Sequence, residues 1–233
     1  MFPGVDKRLR RWIARIFPGR FPQLYSALDN PIRVPLQEAA YNLVAGKYLR
    51  PDDRVLDVGF GLGYGLQIMA PKAVRLVGVE VDQRAVDHAR ELVQAVDQIA
   101  EVRRYDGNKL PYATHSFDVV TCIDVIEHVP DYIGLLGEML RVAGRLVIVS
   151  TPNRRPEFTR RSGRPRNRWH LREWSFEEFS AILGQLDGVR IIWHFLDGPW
   201  EGPVRVSSRL TEDTMALTPA LLKVGNSSTQ VVD

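Results

Sequence analysis

The chain has 233 residues, 45% of them hydrophobic and 25% charged, a composition typical of one globular domain with a sizeable core. The single cysteine, Cys122, excludes a disulfide framework; no run approaches the roughly 18 apolar residues of a membrane span, and no signal peptide is recognisable, so a cytoplasmic protein is expected. The net charge of +3 is unevenly spread, with nine Lys or Arg against three acids in residues 1–50, and this asymmetry concerns partners rather than fold.

Residues 5–17 predict a basic amphipathic helix with its apolar side chains on one face. Such a helix can lie on an anionic membrane surface as a peripheral contact. It can also pack as a lid over a binding cleft, with its basic side chains in solvent. Both interpretations stay open. Prolines follow it, so residues 1–30 are interpreted as an N-terminal helix and linker, and residues 31–233 as the main domain.

An apolar run at residues 55–58 predicts a buried parallel strand, and glycines follow at alternate positions of residues 59–65. A strand, a glycine turn and a helix start form a site where a ligand contacts backbone. The spacing is not that of a dinucleotide fingerprint, because Tyr64 and Leu66 stand where the third glycine would be. Asp57 precedes the turn and is well placed to meet a cationic amine, directly or through water.

The second predicted strand, residues 73–80, ends in an acid. A carboxylate at that point can accept hydrogen bonds from both hydroxyls of a ribose, as the corresponding acid does in dinucleotide folds. Glu80 is the candidate for this contact. Asp82 is its competitor, but Asp82 is better explained as the N-cap of the helix that begins at Gln83.

Further strands are predicted at residues 101–105, 117–123, 144–150 and 189–195, and 221–224 is a candidate last strand. Helices are predicted at residues 34–49, 83–96, 131–141 and 176–186, the last opened by a capping box. Alternating strands and helices without a repeat predict a doubly wound parallel sheet. Ligands bind such sheets at the carboxyl ends of the strands. The residues at those ends are Gly59, Glu80, Asp106, Ile123 and Asn153.

The acid-x-G-x-G-x-G turn after a buried strand resembles that of class I S-adenosylmethionine-dependent methyltransferases, and the similarity runs from about Arg33 to the end of the chain. It is strongest to ubiquinone-biosynthesis O-methyltransferases and to methyltransferases found with glycan-assembly enzymes. The resemblance implies an α/β fold with a Rossmann-like seven-stranded sheet, mostly parallel with an antiparallel last strand and helices on both faces. It implies S-adenosyl-L-methionine as cofactor.

The resemblance also implies individual cofactor contacts. In Asn30-Pro31-Ile32-Arg33 the arginine would reach the methionine carboxylate, Asp106 would accept from the adenine amino group, and the backbone of Gly107 would meet the ring. The implied cofactor-binding residues are Arg33, Asp57, Gly59, Gly61, Gly63, Glu80, Asp106, Gly107 and Ile123.

Asp124, Glu127 and His128 are spaced i, i+3, i+4, which groups them on one face of a helix. They resemble a metal-binding element of ubiquinone O-methyltransferases. The terminal 2′-O-methyltransferases of small RNAs also carry one, and in those enzymes a downstream histidine completes it. His170 stands where that histidine is expected, although Asp124 replaces a glutamate. The four would suit Mg²⁺ or Mn²⁺ gripping a vicinal diol or catechol. Alternatively, Glu127 and His128 are catalytic without metal, with His128 as general base.

Residues 153–172 form an arginine-rich loop that leaves the expected catalytic edge, with eight arginines against one acid. It can be a solvated, mobile face. It can also recognise an anionic acceptor, phosphate especially.

Three functions are compatible with these features. The leading hypothesis is O-methylation of a small, glycan-linked or lipid-linked acceptor. RNA methylation through the arginine-rich loop is the alternative; few stacking aromatics and no appended RNA-binding domain argue against it. A non-catalytic binding module with the same fold is the third, and the intact turn, Glu80 and Glu127-His128 argue against it.

Overall fold

The computed structural model describes residues 35–94, 96–198 and 203–224. The predicted N-terminal helix at 5–17, the linker and Arg33 lie outside the described residues, so the interpretations made for them stay predictions. Among the helices within the described ranges, none is long and apolar enough to cross a lipid bilayer.

Within the described ranges, eight strands form one sheet in the order β3-β2-β1-β4-β5-β8-β6-β7. Strands β1 to β5 pair in parallel, whereas β8 runs antiparallel between β5 and β6, and β7 runs antiparallel to β6. The predicted doubly wound sheet is confirmed, with one more strand than expected. The strands are β1 (Arg54–Val58), β2 (Arg75–Glu80), β3 (Ile99–Arg104), β4 (Phe117–Ile123), β5 (Ala143–Pro152), β6 (Val189–Asp197), β7 (Arg205–Ser207) and β8 (Thr214–Lys223).

The antiparallel strand β8 is longer than the predicted 221–224. Pro219 lies within it and weakens the sequence signal, because proline cannot donate to a ladder and is rare in central strands. Pro219 is registered opposite Trp193 of β6, and the β5 pairing keeps one register on both sides of it, from Ile148 with Ala220 to Thr151 with Leu217.

The helices lie on both faces of the sheet, as predicted. The helices α1, α2 and α3 pack on one face with residues such as Val55, and α4 and α5 pack on the other with Leu56 and Val58. A π-helical turn, Val44–Tyr48, continues α1. The helices are α1 (Pro35–Leu43), α2 (Tyr64–Met69), α3 (Gln83–Val93), α4 (Tyr132–Val142) and α5 (Phe176–Leu183).

Two predicted helix starts are confirmed. Asp82 is the N-cap of α3, and its side chain accepts from the Arg84 N–H. Ser175 and Glu178 form a reciprocal capping box at the start of α5. Each cap satisfies backbone donors that a helix start otherwise leaves unpaired.

Because β1 to β5 are parallel, their carboxyl ends meet at one edge of the sheet. Val58, Glu80, Arg104, Ile123 and Pro152 are the last residues of these strands. The glycine turn and the Glu127-His128 pair follow directly from this edge, so the fold brings the predicted functional segments together.

Candidate active site

The turn after β1 needs glycine for two separate reasons. Gly59, Gly61 and Gly63 have φ of +77°, +56° and +82°, a left-handed conformation that strains residues with a side chain. A Cβ built on Gly59 would also lie 2.5 Å from Cγ2 of Val125. The Gly59 N–H donates to the Val79 carbonyl at 2.8 Å, which ties the turn to the end of β2.

Glu80 lies beside this turn and is hydrogen-bonded to it. Its Oε2 accepts from the Gly61 N–H at 3.1 Å, and its Oε1 accepts from the N–H groups of Val81 at 2.6 Å and Asp82 at 3.3 Å. Burial raises the pKa of Glu80, while these backbone donors oppose the shift. The carboxylate is therefore held in a fixed position at the carboxyl end of β2.

Asp57 is buried rather than open to the turn. Its Oδ1 accepts from the Thr121 hydroxyl at 2.7 Å, and its Oδ2 accepts from the Tyr41 hydroxyl at 3.1 Å. Burial raises the pKa of Asp57 to about 7, against the lowering effect of the bonds from Thr121 and Tyr41. Each oxygen thus accepts from one hydroxyl group of the core, and the contact with a cationic amine, directly or through water, stays a prediction.

Tyr41 packs against α2, the helix that follows the turn. It is 4% exposed, and a Cβ on Gly65 would lie 2.2 Å from its ring atom Cζ. The glycine in α2 therefore makes room for the ring that reaches Asp57. Burial raises the pKa of Tyr41 well above its ordinary value, so its hydroxyl stays protonated and donates.

The other predicted cofactor residues lie along the same edge. Asp106 is exposed in the loop after β3, and its Oδ1 accepts from the N–H groups of Asn108 at 2.9 Å and Lys109 at 3.2 Å. Gly107 has φ +83°. Ile123 is the last residue of β4 and is 3% exposed. All three positions lie at the carboxyl edge of the parallel strands, and their contacts with the cofactor stay predictions.

Glu127, His128 and His170 come together although 42 positions separate the histidines. Each offers one ligand atom, and these atoms all lie within 4.8 Å of one another. The two imidazole rings meet edge to face, with centroids 4.9 Å apart. A backbone bond fastens the loop to the motif, because the Leu171 N–H donates to the Glu127 carbonyl at 2.9 Å.

Glu127 is completely buried, and its two oxygens differ. Oε2 accepts from the Thr151 hydroxyl at 3.4 Å, whereas Oε1 has no hydrogen-bond partner among the described residues. Oε1 lies 4.0 Å from Nε2 of His128. Burial raises the pKa of Glu127 well above its ordinary value. A buried carboxylate oxygen without a donor is costly, so this atom marks a place for a cation or a donor.

Neighbouring groups orient both imidazoles. Nδ1 of His128 lies 2.9 Å from the Trp169 carbonyl, which can only accept, so Nδ1 carries the proton and Nε2 the lone pair. Nδ1 of His170 lies 2.5 Å from Oε1 of Glu173, and its Nε2 lies 2.8 Å from the amide nitrogen of Asn167. The Asn167 Oδ1 accepts from the Trp169 N–H, so its nitrogen is the donor to His170. Both rings are thus held with Nε2 as acceptor.

Asp124 was predicted as a fourth ligand, but the structure does not include it in this group. It has φ +52°, and its carboxylate turns toward the Ser150 hydroxyl, which donates at 2.8 Å, and toward the Gln37 side chain. Gln37 also accepts from the hydroxyl of Tyr64, in α2. Asp124 therefore links β5 and α1 beside the site.

Sequence reasoning missed the groups that hold these residues. Tyr41, Thr121 and Gln37 carry no local signal, because their contacts cross between elements that are distant in the chain. Glu173 is local in sequence: it follows His170 by three positions, and its carboxylate contacts the imidazole in the way that orienting acids contact metal-ligating histidines.

The glycine turn after β1 of the doubly wound sheet and the acid at the end of β2 lie where the resemblance to S-adenosylmethionine-dependent methyltransferases places them. Residues 56–148 match the family model described as a methyltransferase domain, and this match confirms the resemblance found in the sequence. The family implies S-adenosylmethionine as cofactor.

Two curated relatives and one solved structure illustrate the similarity. A "probable S-adenosylmethionine-dependent methyltransferase" of Mycolicibacterium smegmatis is 35% identical over 150 residues, 63% of this chain and 55% of its own. A ubiquinone biosynthesis O-methyltransferase of Hahella chejuensis is 36% identical over 110 residues, 46% of each chain. The chain thus spans about half the length of these relatives. An S-adenosylmethionine-dependent methyltransferase of Aquifex aeolicus shares the fold, with TM-score 0.58 and 17% identity over 95% of this chain and 100% of its own.

Proposed function

We propose that the protein transfers the methyl group of S-adenosylmethionine to a hydroxyl oxygen of a small acceptor that is glycan-linked or lipid-linked. The observation that carries the proposal is the convergence of Glu127, His128 and His170 beside the cofactor turn, with ligand atoms within 4.8 Å of one another. The similarity to a ubiquinone biosynthesis O-methyltransferase, 36% identical over 110 residues, supports oxygen as the accepting atom.

The cofactor is proposed to lie across the carboxyl ends of β1 to β4. Glu80 accepts hydrogen bonds from the ribose hydroxyls. Three of the roughly four acceptor positions of its carboxylate now face backbone N–H groups, so contact with both hydroxyls would replace one of those bonds, the longest being that from Asp82 at 3.3 Å. Asp106 and the backbone at Gly107 meet the adenine. The backbone of Gly59, Gly61 and Gly63 allows the methionine part to approach closely, and Arg33, outside the described residues, stays a prediction for the methionine carboxylate.

The chemical step is an in-line displacement, so positioning is the main task of the protein. The acceptor oxygen forms a bond to the methyl carbon while the bond from carbon to sulfur breaks. The electron pair of that bond stays on sulfur, which becomes uncharged in S-adenosylhomocysteine. The hydroxyl proton must leave to a base, and this requirement gives the buried carboxylate and imidazoles their role.

Glu127, His128 and His170 offer one carboxylate and two imidazoles to a divalent cation, a set that favours Mn²⁺ over Mg²⁺, because Mg²⁺ prefers oxygen ligands. The unpartnered Oε1 of Glu127 needs a positive neighbour, and both imidazoles are held with Nε2 as acceptor. A metal ion bound at Nε2 of His170 would replace the hydrogen bond that the Asn167 amide now donates to that atom. A cation bound there would act as a Lewis acid that lowers the proton affinity of the acceptor hydroxyl.

Without metal, Nε2 of His128 would take the proton itself. Burial, and secondarily the neighbouring His170, lower the pKa of His128 to about 4. A base with that pKa is neutral at pH 7 but takes up a hydroxyl proton less effectively than one near the working pH. The ligand role is therefore the better use of His128, and direct proton abstraction is the alternative.

Manganese binding tests this assignment. Mn²⁺ would be titrated into the protein saturated with S-adenosylhomocysteine and followed by electron paramagnetic resonance. Replacing His170 by Ala should weaken binding about tenfold or more, because a ligand is lost. The matched control is His88→Ala, an exposed histidine of α3, which should change nothing.

Activity gives the second readout. Transfer of labelled methyl to a catechol or vicinal-diol probe should stop in excess EDTA and return with Mn²⁺ or Mg²⁺. Full transfer in excess EDTA would show that the reaction needs no metal ion. His128 would then be the general base.

A further inference from the structure

The arginine-rich loop contains a folded hairpin, residues 158–166. The Arg166 N–H donates to the Phe158 carbonyl at 2.7 Å, and the Arg160 N–H donates to the Arg164 carbonyl at 2.8 Å. Gly163, with φ +78°, closes the turn by donating to the Arg160 carbonyl at 2.9 Å. This is a three-residue hairpin loop with glycine at the left-handed position.

The hairpin presents its charges on one face. Side chains alternate across a strand, so Phe158, Arg160, Arg164 and Arg166 lie on the side opposite to Pro165. Pro165 is buried, whereas those four are exposed. Arg160 and Arg164 stand directly opposite each other across the hairpin, and like charges in such a pair are destabilising. The two opposed arginines therefore destabilise the hairpin, and their presence is not explained by its stability.

Four of the eight arginines in the loop have structural partners within the described residues. These are Arg154 with Glu178, Arg155 with Glu157, Arg168 over the ring of Trp169, and Arg172 over the ring of Tyr132.

The remaining arginines lie on the hairpin. Among the described residues, the Arg160 side chain donates only to the backbone carbonyls of Pro165 and Arg166, at 3.3 and 3.5 Å; these bonds stiffen the hairpin and provide no negative charge. Arg161, Arg164 and Arg166 form no ion pair with any described residue. No acid occurs between Phe158 and Arg172.

The hairpin adjoins the proposed acceptor site through the next residue of the chain. Asn167 follows Arg166, and its side chain contacts both the Trp169 N–H and Nε2 of His170. His170 is four positions after Arg166 in the chain, so their Cα atoms are at most about 14 Å apart. An anion on the hairpin and a hydroxyl at the imidazoles can therefore belong to one small molecule.

We propose that Arg160, Arg164 and Arg166 bind a phosphate or diphosphate group of the methyl acceptor, so that the substrate class is a phosphorylated hydroxyl compound. Guanidinium groups suit this ligand because their donors match phosphate oxygens in pairs. The inference rests on the proposed function for its choice of acceptor. A small acceptor is favoured over RNA because the charged face is one hairpin wide and carries one exposed ring, Phe158, whereas nucleic-acid grooves use a longer track of rings and charges.

Calorimetric titration of the full chain with inorganic pyrophosphate tests the site. The variant is Arg164→Gln with Arg166→Gln, which leaves the bonds of the Arg160 side chain in place. The matched control is Arg75→Gln with Arg190→Gln, two exposed arginines at the starts of β2 and β6, with the same change in charge.

We expect the hairpin variant to bind pyrophosphate about tenfold or more weakly and the control to match the wild type, since charge-assisted hydrogen bonds are lost only in the former. Binding by the wild type should also weaken with added salt. Equal affinity in the wild type and the hairpin variant, or an equal loss in the control, would overturn the proposal.

Two further titrations separate the possible failures. S-adenosylhomocysteine should bind equally to wild type and both variants; failure of the wild type to bind it would refute the proposed function and leave the pyrophosphate result standing. A single-stranded oligoribonucleotide that binds about tenfold tighter than pyrophosphate through the same arginines would overturn the small-acceptor assignment in favour of RNA.

Discussion

Replacing Glu80 by Gln perturbs the proposed ribose contact with the least change of shape. In the structure the carboxylate accepts from the N–H groups of Gly61, Val81 and Asp82, at 3.1, 2.6 and 3.3 Å. The Gln amide keeps one acceptor oxygen, and its NH₂ group places a donor where the second carboxylate oxygen was an acceptor. A bond from a ribose hydroxyl to a charged group is worth about 1.5–3 kcal/mol, so affinity for S-adenosylhomocysteine should fall about 10- to 150-fold.

The assay is calorimetry on the variant and on a neighbouring control. Asp82→Asn makes the same charge change two residues away, and Asn caps a helix as well as Asp does. Its Oδ1 contact with the Arg84 N–H, at 3.0 Å, should survive. Affinity should therefore drop in Glu80→Gln and stay within about twofold in Asp82→Asn. Unchanged binding in Glu80→Gln, or equal losses in both, would refute the ribose contact. Denaturant unfolding of both variants shows whether the turn itself has been disturbed.

Three other outcomes are expected. Gly65→Ala would place a Cβ 2.2 Å from the ring of Tyr41 and should lower the free energy of unfolding by about 1–3 kcal/mol. Gly137→Ala, whose Cβ would meet nothing within 4 Å, should raise the free energy of unfolding by about 0.5–1 kcal/mol. Urea unfolding that ranks the two variants in the opposite order would contradict the packing of Tyr41 on Gly65. The pKa of Asp57 is raised from 3.8 to about 7, so the folded state binds the extra proton and stability should fall by up to about 4 kcal/mol as pH rises from about 4 to 7. Asp57→Asn should flatten that decline, and an unaltered pH profile would contradict this burial. Glu173→Gln should weaken Mn²⁺ binding about tenfold, because the Glu173 carboxylate holds the imidazole of His170 in place. Unchanged Mn²⁺ binding would show that this contact does not orient the ligand.

Much of the fold could be predicted because the buried strands are continuous apolar runs. The strand Phe117–Ile123 was predicted with its observed bounds, and the capping box placed α5 correctly. The edge strand β7 has three residues, too few for a periodic pattern, and its pairing with β6 is a tertiary effect. The length of β8 was hidden by Pro219.

The positions of site residues could be predicted where one segment of the chain contains the whole motif. The contacts of a side chain could not be predicted where its partners are distant in the sequence. Glu80 stands at the strand end where spacing put it. Asp57 is turned into the core by Tyr41 and Thr121, contacts that no local pattern encodes. Asp124 is turned aside by its positive φ, although helical spacing had grouped it with Glu127. Helical spacing does not apply there, because Glu127 lies in a short 3₁₀ turn rather than an α-helix.

The central claim is that the turn after β1 holds S-adenosylmethionine and aims its methyl group at Glu127, His128 and His170. A crystal structure with S-adenosylhomocysteine bound tests it most directly. We expect both ribose hydroxyls within hydrogen-bond distance of the Glu80 carboxylate and the sulfur facing the two imidazoles. A nucleoside bound away from Glu80, or a sulfur facing the opposite side of the sheet from His128, would contradict it.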